Sequence, residues 1–99
     1  MAAVDNSDLL RWRCLDSASV LIVLATHAKR DASYEPTKDK SSSRWHANVD
    51  GREFELLLTG PKYWDTRSCV GGGGAIDLMM HLTGVDFKGA TRRLKGLGF

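Results

Sequence analysis

The dipeptide Asp50-Gly51 lies between two alternating runs, "RWHANV" and "REFELLL", and constrains the fold more than any other part of the chain. Both residues tolerate positive φ, as the type I′ turn of a two-residue hairpin requires. The pattern predicts antiparallel strands, with Trp45, Ala47 and Val49 sharing one face and Phe54 and Leu56 lining one face of the partner. "TGP" then makes a turn and "KYWD" a third antiparallel strand. Side-chain alternation sends one of Tyr63 and Trp64 inward and the other outward. The expectation is a small three-stranded antiparallel sheet over about 44–65.

Helical signals flank this sheet. "DNSDLLRWRC" offers Ser7 or Asn6 as a cap, Asp8 in the first turn, and Leu10 with Cys14 on one face. "DSASVLIVLATHAKR" starts at a cap, Asp16 or Ser17, and ends with His27, Lys29 and Arg30, cations that suit a helix C-terminus. Val20, Ile22 and Val23 also fit a strand. These N-terminal helices cover about 7–30, and the polar "DASYEPTKDKSSS" at 31–43 reads as a mobile loop. Beyond the glycines, Ile76, Met79, Met80 and Thr83 recur at helical spacing, widened by Leu78 and Leu82, until Gly84 stops the helix. Asp86 caps a last helix whose inward face is Phe87, Ala90, Thr91 and Leu94, so that the C-terminal helices cover about 74–97. The class is α+β: one domain over 1–99, with about four short helices on the sheet.

With 42% apolar and 26% charged residues, the composition is that of a soluble globular chain, and the longest apolar run, Val20 to Ala25, is too short to span a bilayer. The N-terminus shows no secretory pattern, which points to a cytoplasmic protein with Cys14 and Cys69 as reduced thiols and no membrane partner. Net charge is +2, but the cations gather late: Lys62, Arg67, Lys88, Arg92, Arg93 and Lys95 stand against Asp65, Asp77 and Asp86. Four consecutive glycines, Gly71 to Gly74, precede the third helix without the Lys and hydroxyl of a phosphate loop. They read first as a tight strand-to-helix turn, and second as backbone amides at Gly73 and Gly74 open to one phosphate. Asp77 and His81, four apart, are expected to pair on the solvent side, with His81 a surface residue. No nucleophile set, paired-carboxylate site or metal trio assembles, so an enzyme is not expected.

The stretch "KYWDTRSCVGGGGAIDLMMHLTGVDFKGATRRL" resembles the end of the N-terminal zinc-binding domain of bacterial DNA primases and of related phage and plasmid replication proteins. Roughly residues 44–97 follow that order of elements. Cys69 matches the second cysteine of the family's C-x-x-C knuckle. Gly72, Gly73, Ala75 and Ile76 match its helix start, and Phe87 and Ala90 its final helix. Thr66 stands where the first knuckle cysteine belongs, and the earlier Cys-x-x-His pair has no counterpart beyond His46. Structural zinc needs four Cys or His ligands. The resemblance therefore implies a zinc-ribbon-like but zinc-less module with no cofactor, His46 and Cys69 being the residues left for any metal.

In that family the domain binds single-stranded template beside a polymerising domain. The resemblance implies an accessory module that binds single-stranded DNA in the replication or transfer of a plasmid, phage or other mobile element, with a primase, polymerase or helicase as partner. The candidate contact residues are Arg44, Trp45, Arg52, Lys62, Tyr63, Trp64, Arg67, Gly73, Gly74, Lys88, Arg92 and Arg93, since cations interleaved with aromatics suit phosphates and bases. The alternative is a protein interaction module, a dimerising adaptor that docks on a replication enzyme without touching DNA.

Overall fold

In the computed structural model, which describes residues 5–99, five antiparallel strands form the sheet where the sequence predicts three. Residues 1–4, the start of the segment read as lacking a secretory pattern, lie outside the described part. The elements run α1 (Asn6–Arg13), α2 (Ser17–Leu24), β1 (His27–Arg30), β2 (Ser43–Val49), β3 (Arg52–Thr59), β4 (Lys62–Asp65), β5 (Val70–Gly73), α3 (Ala75–Thr83) and α4 (Phe87–Gly96). Sheet order follows chain order, β1 to β5, so every neighbouring pair is antiparallel and consecutive. The α+β class holds; the strand count is corrected.

Both additional strands come from segments whose local pattern favours something else. α2 stops at Leu24, where Ala25 turns extended (φ −75°, ψ 147°), and the Thr26 amide donates to the Asn48 carbonyl at 2.9 Å. His27 to Arg30 then pair with Asn48 to Trp45. His27, Lys29 and Arg30 therefore cap no helix; they form an edge strand whose charges discourage further pairing. β5 is made of Val70 and three glycines, paired with Asp65, Trp64, Tyr63 and Lys62. Its backbone bonds come from β4, a partner that no side-chain pattern in "VGGG" announces.

The Asp50-Gly51 turn has both φ values positive, 51° and 83°, and sets the β2–β3 register at Val49 opposite Arg52. That register places Ala47, Val49, Phe54, Leu56, Leu58 and Tyr63 on one face, all buried, against Leu78, Met79 and Leu82 of α3, Val20 and Leu21 of α2, Ala90 and Leu94 of α4, and Trp12. Burying a side chain of this size is worth about 1.5–3 kcal/mol, so this face carries the fold. The Ser17 hydroxyl donates to the Gly60 carbonyl at 2.7 Å, which fastens the start of α2 to the β3–β4 turn. Asp5, rather than Ser7 or Asn6, caps α1, because its carboxylate reaches the Asp8 amide at 2.9 Å. Leu10 and Cys14 face solvent, and Trp12 is the residue α1 buries. Phe87, expected inward, is 49% exposed, while Ala90, Thr91 and Leu94 make the inner face of α4. No helix among the described residues is long and apolar enough to cross a membrane.

Candidate nucleic-acid interface

All four helices lie on one face of the sheet, and the alternation that fills the core places a different set of side chains on the other. Across β2 to β5, Arg44, Leu57, Trp64 and Gly71 stand opposite one another in a single row. Directly opposed side chains in antiparallel strands lie about 4.5–5.5 Å apart at Cβ, so they act as one surface. The next row holds Thr59, Lys62 and Gly73.

Trp64 is 44% exposed on this face, whereas Tyr63 is 5% exposed on the other. The Trp64 ring leans over Gly71: a Cβ at Gly71 would lie 2.6 Å from Cε3. The missing side chain gives the indole a seat on β5 and leaves the space above Leu57 open. A groove of about 530 Å³ occupies that space, bounded by Trp64 and Lys62 on one side and by the 31–42 segment on the other. That segment is held to the sheet. Arg44 Nε donates to Asp31 Oδ2 at 2.9 Å, the Arg44 guanidinium lies 5.3 Å from the Tyr34 ring centroid, and the Ser42 and Thr59 hydroxyls are 2.6 Å apart. The Ser33 and Arg44 hydrogen bonds hold the Asp31 carboxyl well below the usual carboxylate range. Arg44 is thus an ion-paired support for the loop, with its own pKa raised by Asp31.

The predicted contact residues do not form one surface. Arg44, Lys62, Trp64 and Gly73 lie on the open face. Trp45 sits on the core side with its indole donating to Ser43 Oγ at 2.8 Å, and Tyr63 is buried there. Arg52 flanks the hairpin tip with its guanidinium 5.2 Å from the Phe54 ring centroid, and Arg93 reaches Asp50 at 3.4 Å. Lys88 and Arg92 are exposed on α4, on the helical side. Arg67 is in the β4–β5 turn, its amide donating to Asp65 Oδ1 at 3.0 Å. Tyr34, Lys38 and Leu57 line the groove and are not singled out by the sequence; a polar loop gives no local sign of the strand it will cover.

The glycine run divides by role. A Cβ on Gly72 would collide with the Asp77 carboxylate, which turns back to accept the Gly73 amide at 3.2 Å. Gly74 is the N-cap of α3 at φ 91°, a conformation that disfavours any side chain. The run is therefore a strand ending in a joint, not a turn alone. Asp77 does not pair with His81. His81 Nε2 instead meets Asp65 Oδ2 at 2.7 Å, and its ring stacks 5.4 Å from Tyr63, so His81 is mostly enclosed rather than a surface residue. Burial pushes the Asp65 carboxyl up, but bonds from His81, Ser68 and the Arg67 and Ser68 amides outweigh it and hold it below the ordinary value. Burial, with the neighbouring Asp77 charge, pushes the Tyr63 phenol up to about 12.

Asp65 and His81 tie the β4–β5 turn to α3. Among the described residues no group of three or more His, Cys, Asp or Glu side chains is placed to hold a metal ion. His46 lies on the open face, 3.6 Å from Asp31, and Cys69 sits at φ 55° in the β4–β5 turn.

No family model and no solved structure matches the chain. A 65 kDa protein of Zymomonas mobilis subsp. mobilis is 51% identical over 37 residues, which are 37% of this chain and 6% of that protein. The match thus spans a small part of that relative.

Proposed function

We propose that the chain is a zinc-less relative of the primase zinc-binding domain that binds single-stranded DNA on the open face of its sheet, as an accessory module in the replication or transfer of a mobile element. The observation that carries this reading is Trp64, 44% exposed on the open face, seated on Gly71 and near Lys62. An exposed aromatic beside a cation stacks bases and meets phosphates without regard to sequence. A labelled oligonucleotide titrated with the protein at low salt should show binding in the range of about 1–100 μM that nonspecific association gives, weakening as salt rises. Lys62→Glu should weaken binding for every sequence alike, and Arg92→Glu, on the helical side, should weaken it less. A folded protein that leaves the oligonucleotide free at high concentration would contradict the proposal.

A second reading, a dimerising adaptor docked on a replication enzyme, is favoured by Ile22 and Val23, 57% and 49% exposed on α2. Salt-insensitive self-association that buries these residues or Trp64 would support it.

A further inference from the structure

We infer that the 31–42 segment is the second wall of the interface, and that the groove it closes holds one unpaired DNA base above Leu57, between Tyr34 and Trp64, with adjoining phosphates at Lys38 and Lys62. This rests on the single-strand reading above and adds to it the loop, the occupant and the exclusion of duplex. The apolar floor is Leu57, open because Trp64 leans away from it onto Gly71. The two aromatic rings come from opposite walls of the same groove. At about 530 Å³ its volume lies within the range of about 300–1,000 Å³ typical of small-molecule sites, enough for a nucleotide unit.

The loop wall is built rather than draped. Tyr34 is braced by the Arg44 guanidinium, Asp31 holds Arg44, and Ser42 bonds Thr59 at the far end. Two ammonium groups, Lys38 and Lys62, line the groove with one carboxylate, Asp39, which accepts from the Ser41 amide at 2.9 Å and the Ser41 hydroxyl at 2.6 Å, keeps its charge and lies within electrostatic reach of Lys62. Two cations against one anion leave the groove lining with a net positive charge, the sign that attracts phosphate. A base pair presents its ring faces only to neighbouring pairs in the stack, so a slot with aromatic walls selects unpaired bases.

The test compares one labelled single strand with the blunt duplex of the same sequence, for the wild type and four variants whose fold is checked by thermal melting. The single strand should bind more tightly than the duplex. Trp64→Ala and Tyr34→Ala should each weaken single-strand binding by about 5- to 150-fold, the loss of one stacked base. Tyr34→Phe, which keeps the ring, should bind as wild type. Lys38→Gln should flatten the salt dependence by about 0.7 in log-log slope, the change expected when a single strand has one fewer phosphate neutralised. If Trp64→Ala weakens binding while Tyr34→Ala and Lys38→Gln leave it unchanged, the loop is no wall and the inference fails while the single-strand reading stands. Equal affinity for the duplex also overturns it. No single-strand binding by the folded wild type overturns both.

Discussion

The two faces of the sheet are built from alternate residues of the same strands, yet they have opposite characters. Leu56 and Leu58 are 0% and 2% exposed against the helices, while Leu57 between them is the floor of a groove and Trp64 beside it is 44% exposed. The helical face is largely apolar and buried, with Asp65 and His81 as its charged pair. The open face carries a large aromatic, the cations Arg44 and Lys62 and the carboxylates Glu53 and Glu55, and among the described residues it is covered in part by the 31–42 segment. Since both faces share one register, the packed core and the open surface are separable by position: even residues of β3 pack against the helices and odd ones face away from them.

The sharpest way to break this comparison is to truncate adjacent leucines. Leu56→Ala should cost about 2–5 kcal/mol, as for other fully buried leucines, while Leu57→Ala should cost less than about 1 kcal/mol. Denaturant unfolding of both variants measures the gap, and equal losses would mean that the open face is packed by something else. Next in size, Gly72→Val should cost about 1–3 kcal/mol because it drives a side chain into Asp77, and Gly74→Val a similar amount through its positive φ. Gly73→Val should be better tolerated, since the nearest atom to its Cβ is Lys62 Cγ at 3.8 Å.

Much of the helical face is legible from local pattern. Asp50-Gly51 announces its hairpin, Asp86 its helix, and Gly84 its stop, because each depends on residues within four positions. β1 is not legible: an apolar run followed by His27, Lys29 and Arg30 satisfies helix rules, and only the unpaired edge of β2 makes it a strand. β5 is hidden for the opposite reason, since glycines show no alternation. Of the open face, alternation at Tyr63 and Trp64 marks two residues with opposite fates, but Tyr34 lies thirty residues before Trp64 and no spacing rule links them. The bond from Asp65 to His81 escapes sequence reasoning because Asp77, one helical turn from His81, is the nearer partner along the chain; Asp77 is drawn instead to the Gly73 amide.

An effect of similar size tests how the β4–β5 turn is held on the helical side. The Asp65 carboxyl titrates below its ordinary range in the fold, so it releases its proton more readily folded than unfolded. Its contribution is complete above the unfolded carboxyl value of about 3.9 and is lost as pH falls through the folded value. Asp65→Asn should cost about 1–3 kcal/mol at neutral pH and remove part of the acid sensitivity in a pH series of melts. The smallest expected effect is that of chelator. With no metal in the account of either face, the melting temperature should be the same with and without it, and elemental analysis should find no stoichiometric zinc.

The two faces can be read in one spectrum, because each tryptophan indole reports a different place. Trp12 donates to the Phe99 carbonyl at 3.0 Å and Trp45 to Ser43 Oγ at 2.8 Å, both on the helical side, while Trp64 stands on the open face. In a ¹H–¹⁵N correlation spectrum titrated with single-stranded DNA, the Trp64 indole signal should move or broaden together with the amides of Leu57, Thr59 and Lys62, and the Trp12 and Trp45 indoles should stay in place. Changes confined to Trp12, Trp45 and the helices, or no change at saturating DNA, would contradict the assignment of recognition to the open face.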